Sequence, residues 1–395
     1  MQNESFYKLE NSIQNYPWGS VSSIPDLFDV ENPAQVPMAE IWMGAHPKAS
    51  SKIQLHGQSI ELAHFISASG SNLLGEDTKQ RYGELPYLFK VLAANQALSI
   101  QVHPSKEEAE VGFAKENQLG IAMDAYNRNY KDANHKPELV YALTPYLAMN
   151  GFRDYNDIVT LFVSANLSSL QNEINHFSNN QTPAGLRALF QAVLSLEGDK
   201  KDATIQELLT WTDTHQQDSL ATLVLDLNTV YPNDVGLLAP LMLNVILLQP
   251  GEAMFLDAGT PHAYLKGTAL ELMANSDNVL RAGLTPKYID VEELVASCRF
   301  YPLDSDKILT SPISEGCEQT FPVPVDDFSF AVYQQPDAYS ITLSRAEIWF
   351  AIDQDATFVD QAGQQFTISK GESIFIPLTT DQFTVSSSGT LARAY

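Results

Sequence analysis

The chain has 395 residues, 44% hydrophobic and 18% charged, enough apolar sequence for several packed modules with large cores. Its 23 Lys plus Arg stand against 48 Asp plus Glu, and the resulting net charge of −25 makes a field that repels polyanions, so nucleic acid is not expected as a partner. The opening MQNESFYKLE has neither a basic flank nor an apolar run, no stretch of about 18 apolar residues could span a bilayer, and Cys298 and Cys317 have no paired spacing. No membrane partner is expected, and the chain reads as a cytoplasmic monomer.

Residues 1–150 read mainly as strand and loop, with short runs such as Ala39 to Met43, Leu85 to Leu92 and Leu98 to His103 broken by Pro, Gly and Asn. SKEEAEVGFAKEN, after Pro104, predicts a short helix. From about 155 to 235 the period changes: Thr182 and Pro183 mark a helix start, and Leu186, Leu189, Phe190, Val193 and Leu194 follow at helical spacing. Three to five helices are expected there. After Pro240 strands return in LMLNVILLQPGEAMFLDAGTPHAYL, and again in ITLSRAEIWFAI, DATFVD, QQFTISKGESIFIPL and QFTVSSS. PGEAMFLDAGTPH and KGESIFIPLTTDQ share one layout, an apolar strand after a Gly-Glu turn, which suggests a repeated cupin-type barrel. The expected fold is therefore mainly β with a helical insertion, made of two cupin-type jelly-roll barrels plus an α-helical domain. Residues 1–150 and 236–310 would form a catalytic barrel, 151–235 the insertion, and 311–395 a second barrel. No histidine occurs from 311 to 395, so the second barrel is expected to hold no His-ligated metal.

Three histidines sit in unusually polar settings. In LSIQVHP, period-2 alternation puts Gln101 and His103 on one strand face, about 7 Å apart, where both could reach one ion. An isolated Gln-x-His is more often a satisfied core pair. In NHKPE, Pro137 restricts Lys136 towards extended geometry, placing Lys136 and Glu138 on one face and turning His135 the other way. His262 follows the AGTP turn at the start of a strand. Two imidazoles, a carboxylate and an amide oxygen form a mixed set that suits zinc or another borderline divalent ion. The tract ANSDNVLRAGLTPK adds Arg281 and Lys287 among short polar residues, and the planar fork of Arg suits phosphate or an enolate-like oxygen.

YKDANHKPE at 130–138 and HAYLKGTALELMANSDNVLRAGLTPK at 262–287 resemble the type I phosphomannose isomerases. NYPWGS, AEIWMGAHPKA and PYLFKVLAANQALSIQVHP extend that resemblance over most of the chain. The resemblance implies one zinc ion per chain held by Gln101, His103, Glu138 and His262. It also implies Arg281 in the active-site role, and reversible conversion of mannose 6-phosphate to fructose 6-phosphate.

Such a conversion moves a proton between neighbouring carbons through an enediol, which needs a base and something to hold the developing oxygen charge. Lys136 is the favoured base among Lys136, His135, Tyr264 and a metal-bound water. Lys90, Lys136, Arg281 and Lys287 are candidate phosphate contacts for this small phosphosugar, and His135, Tyr264 and Trp18 candidate substrate contacts. A cupin dioxygenase with Fe(II) and a non-catalytic sugar-phosphate-binding cupin are the competing readings.

Overall fold

Every residue of the strand Tyr87–Ala94 is buried, although Lys90 interrupts its apolar run. The alternation explains both facts. Tyr87, Phe89, Val91 and Ala93 join one core, whereas Leu88, Leu92 and Ala94 join others on the opposite face, together with Lys90. This computed structural model describes residues 4–69 and 71–395; Met1 to Asn3, the start of the N-terminal tract, lie outside them.

Tyr87–Ala94 lies within a ten-stranded sheet ordered Leu243–Leu248, Tyr146–Phe152, His262–Ala274, Tyr87–Ala94, Glu40–Gly44, Ser12–Gln14. Four strands attach beside that path: Gln101–Val102, Glu138–Ala142, Ala253–Leu256 and Leu280–Arg281. The 13-residue strand His262–Ala274 is the seam of this barrel. Its first residues pair with Tyr146–Phe152 and Gln101–Val102, and from Gly267 onward it pairs with Tyr87–Ala94, with Glu138–Ala142 alongside. The register slips between Tyr264 and Lys266, and Gly267 has φ +120°, a value that side chains rarely adopt. A Cβ there would lie 2.4 Å from the carbonyl oxygen of Pro145. Glycine at that point lets one strand serve both walls.

Between the strands ending at Phe152 and starting at Leu243 stand six α-helices, Tyr155–Ala165, Gln171–Asn179, Pro183–Leu194, Gly198–Thr214, Ser219–Val230 and the short Ala239–Met242. Thr182 caps the third, its hydroxyl accepting from the Gly185 amide at 3.2 Å, with Pro183 in the first turn. Leu186, Leu189, Phe190, Val193 and Leu194 are all buried, in a core that also takes Met149, Phe152 and Leu280 from the strands. The helical layer is thereby fixed to the wall that carries the polar residues described below.

The chain from 313 to 394 supplies six strands of a seven-stranded sheet and all of a four-stranded one, enclosing Tyr333, Trp349, Phe358 and Phe383. Tyr7–Lys8 belongs to this second unit, pairing with Ser373–Ile376, which differs from the expected grouping of residues 1–150 in the first barrel. The sequence carries no signal for that pairing, because a two-residue strand has no period. The two barrels meet through Phe89, Phe321, Phe330 and Phe350, a shared aromatic core.

One arrangement occurs in both barrels. Glu40-Ile41-Trp42 and Glu347-Ile348-Trp349 each carry an indole donating to the glutamate two residues earlier, at 2.6 and 2.8 Å. Opposite each Trp on the next strand stands a buried cation, Lys90 in the first barrel and Arg393 in the second. Each lies over its indole, at 5.4 and 5.6 Å from the ring centroid.

Candidate metal centre

Gln101 is the register point of the site. Its Cα is paired with His262 on one side and with Arg281 on the other. Directly opposed residues in antiparallel strands project to the same face, so the three side chains rise together, and alternation adds His103 to that face. Glu138, at the start of its strand, completes a group of three: the ligand atoms of His103, Glu138 and His262 lie within 4.8 Å of one another, and all three residues are buried. Among the described residues this is the one such cluster of His, Cys, Asp or Glu.

Both imidazoles are held in a defined tautomer. His103 Nδ1 donates to the carbonyl of Asn278 at 2.7 Å, and His262 Nδ1 donates to the carbonyl of Thr260 at 2.9 Å. Each Nε2 is therefore left as a lone pair turned towards Glu138, 3.1 Å from Oε1 for His103 and 3.7 Å from Oε2 for His262. The short approach to His103 lacks hydrogen-bond geometry, so its Nε2 is a buried polar atom with no partner.

Burial pushes the His262 imidazole down to about 4, helped by the neighbouring His103, and burial together with Lys136 lowers His103. For Glu138 burial acts upward, but Lys136 and the two imidazoles outweigh it and hold the carboxyl well below its usual range. At neutral pH the set is thus two neutral imidazoles and one carboxylate with an orphaned nitrogen between them. That donor set fits a zinc ion with positions left for other oxygens.

The surroundings of Glu138 are as closely specified. Lys136 Nζ lies 2.8 Å from Oε1 and the Tyr264 hydroxyl donates to Oε2 at 2.5 Å. Lys136 and Glu138 share a side, and the His135 imidazole instead meets Asp327 of the second barrel, at 3.0 and 3.1 Å. Asn278 holds the segment before them: its side-chain oxygen accepts from the amide of Lys131 at 2.6 Å, and its amide group donates to the carbonyls of Asp132 and Asn134 at 2.8 Å each. The same residue whose carbonyl sets the His103 tautomer thus also shapes the loop leading to Glu138.

A cavity of about 540 Å³ opens beside Gln101, bordered by Tyr16, Trp18, Arg281 and Lys287. Tyr16 and Trp18 stack at 5.7 Å. Neither Arg281 nor Lys287 forms a salt bridge among the described residues; burial lowers both, and Arg281 and Lys48 add to the effect on Lys287. Two cations without counter-charges beside one cavity suit an anionic ligand.

Three sequence expectations need correction. Lys90 is not a free phosphate contact: its ammonium lies 2.8 Å from Glu271 and 3.9 Å from Glu40 inside the barrel. His135 is turned away from the cavity into its contact with Asp327. Tyr264 is buried, and burial with Glu138 beside it raises its phenol well above the usual value, so it serves as a donor to Glu138 and not as a base. The donor role was visible in the spacing: His262 and Tyr264 alternate on one face as Gln101 and His103 do. Nothing in sequence pointed to Asp327 or to the two carbonyls.

Residues 6–155 match a family model described as the catalytic domain of phosphomannose isomerase type I, and 162–243 match that of its helical insertion domain. Residues 317–395 match the cupin domain of mannose-6-phosphate isomerase. The chain is 50% identical to mannose-6-phosphate isomerase of Escherichia coli (strain K12) over 390 residues, 98% of this chain and 99% of that protein. It is 35% identical to mannose-6-phosphate isomerase of Rattus norvegicus, covering 95% and 94%. The fold superposes with TM-score 0.94 on a crystal structure of zinc-bound mannose 6-phosphate isomerase, at 48% identity and 99% coverage of both chains. A mutant of phosphomannose isomerase from Salmonella typhimurium gives TM-score 0.96 at the same identity and coverage.

Proposed function

The chain belongs to the type I phosphomannose isomerases, and from that premise we propose the following account of its activity. It is a zinc-dependent enzyme that reversibly interconverts mannose 6-phosphate and fructose 6-phosphate. His103, Glu138 and His262 hold the zinc, with the Gln101 amide oxygen as fourth ligand. Zinc supplies a redox-inert Lewis acid that polarises the substrate oxygens as the enediol forms.

The other parts fall to the chain's own groups. Arg281 and Lys287 take the anionic charges of the substrate, and the stacked Tyr16 and Trp18 wall the sugar. The uncompensated Arg281, in register with Gln101 and His262 and beside a cavity in a chain of net charge −25, is the observation that carries this reading. Lys136, its Nζ 2.8 Å from the ligand carboxylate, is the proton-transferring group: as the neutral amine it takes the carbon-bound proton, and as the ammonium it returns it to the neighbouring carbon. Tyr264 keeps Glu138 oriented. A monomer is the proposed working unit. No described helix is long and apolar enough to cross a membrane, and both cysteines are free, which supports the cytoplasm as its compartment.

The test is a coupled assay of mannose 6-phosphate conversion to fructose 6-phosphate before chelation, after chelation and after zinc is returned. Turnover that disappears and then returns is expected. Turnover unaffected by His262→Ala would contradict the ligand set, and oxygen consumption on iron without isomerisation would contradict the activity.

A further inference from the structure

The second barrel has no histidine after residue 311, yet one of its buried carboxylates reaches the loop that carries Lys136 and Glu138. Asp327 lies between the strands Glu318–Phe321 and Phe330–Gln334 and is 6% exposed. Its two oxygens stand 3.1 and 3.0 Å from His135 Nε2. The residue before it, Asp326, bonds Arg81 at 2.8 Å, so neighbouring carboxylates tie the second barrel to two separate elements of the first. Only one of these ties ends next to the metal centre. His135 is followed by Lys136, Pro137 and Glu138, and the proline ring restricts the backbone between the imidazole and the carboxylate.

The loop is otherwise anchored from its own barrel. Asn278 and Asp132 hold residues 131–134, and the Pro137 carbonyl accepts from the Ala274 amide at 3.2 Å. The His135 imidazole is the point at which the second barrel takes hold of it. Building on the isomerase reading, we propose that Asp327 is a positioning residue for that reaction. It fixes the His135 ring from outside the catalytic barrel and so sets where Lys136 and Glu138 stand. The second barrel is in this way a part of the active site's support, though it contributes no group that touches substrate or metal. A buried carboxylate accepting from an imidazole is a strong, directional bond, and misplacing a reacting group by about 1 Å can cost on the order of 100-fold in rate.

The experiment compares wild type, Asp327→Ala, Asp327→Asn, Arg81→Ala, His135→Ala and the double variant Asp327→Ala/His135→Ala as full-length, zinc-loaded enzymes. Measured are kcat and KM for mannose 6-phosphate, thermal midpoint, and zinc Kd by chelator competition. Asp327→Ala is expected to lower kcat about 10- to 100-fold with KM within about 3-fold, and to weaken zinc by several-fold through the displaced Glu138. Asp327→Asn keeps an acceptor oxygen for the imidazole and should recover most of the loss. Arg81→Ala cuts the adjacent tie across the same interface and should leave kcat unchanged. The double variant should be no slower than His135→Ala, because both changes break one contact. The proposal is overturned if Asp327→Ala keeps kcat and zinc Kd within 2-fold of wild type, if Arg81→Ala loses as much, or if the two losses multiply. A wild type without isomerase turnover would fail the functional reading instead, and the zinc Kd would still report whether Asp327 sets the position of Glu138.

Discussion

Replacing Tyr264 with Phe removes one oxygen from a packed site and tests whether the contact with Glu138 serves the metal or the chemistry. The hydroxyl donates at 2.5 Å to Oε2 of a carboxylate that is 1% exposed, and Tyr264 itself is 4% exposed. Little water can replace it. A hydrogen bond to a charged group contributes about 1.5–3 kcal/mol, and 1.4 kcal/mol is about tenfold in an equilibrium constant, so zinc Kd should rise roughly 10- to 100-fold. The usual loss on deleting an outer partner of a metal ligand falls in the same range. The phenyl ring keeps its packing near Tyr146, 5.7 Å away, so the fold should persist. Chelator competition on purified wild type and variant measures Kd, and activity at saturating zinc measures what remains of the chemistry. The expected pattern is weaker zinc with activity largely recovered by excess metal. An unchanged Kd with lost activity would refute the argument and place the hydroxyl in the reaction itself.

Other substitutions test different parts. Arg281→Ala should lower kcat/KM at least about 100-fold, because truncation removes a cation with no protein counter-ion from the cavity, whereas Arg281→Lys should retain charge but lose the planar fork and recover only part; steady-state kinetics on mannose 6-phosphate decide it. Gly283→Ala should lower the thermal midpoint and activity together. Gly283 has φ +125° and an added Cβ would lie 2.7 Å from the Gly236 backbone, two residues past Arg281, a strain of at least about 1–3 kcal/mol; a midpoint equal to wild type would count against it. In the second barrel, Arg393→Met leaves the buried Glu347 without its partner and should cost about 3–5 kcal/mol in denaturant unfolding, with kcat per folded molecule unchanged.

The parts of the site readable from sequence were those set by local geometry. Gln101 and His103 share a face because a strand alternates, and Lys136 and Glu138 share one because Pro137 extends the chain between them. The helix after Thr182 was readable for the same reason, its cap and apolar stripe lying within 13 residues. Lys90 misled because its meaning is tertiary. A lysine in an apolar strand looks like a cation awaiting a ligand, but its partner Glu271 lies 181 residues away on the neighbouring strand. Asp327 was invisible for the same reason, being 192 residues from His135. Carbonyl oxygens leave no trace in side-chain identity, so the groups that fix the two imidazole tautomers emerge only from the fold.

The glutamate, tryptophan and cation shared by the two barrels give the molecule an internal control. In the first barrel this trio lies inside a wall that also bears the proposed zinc ligands, and any polar residue there invites a chemical explanation. In the second the same trio persists where there is no histidine at all, so holding adjacent strands in register is sufficient reason for it to exist. What separates the barrels is Glu271, the extra carboxylate opposite Lys90, which has Ala331 at the corresponding place beside Arg393. A search for groups that adapt this scaffold to sugar chemistry should therefore start from the asymmetries between its two halves.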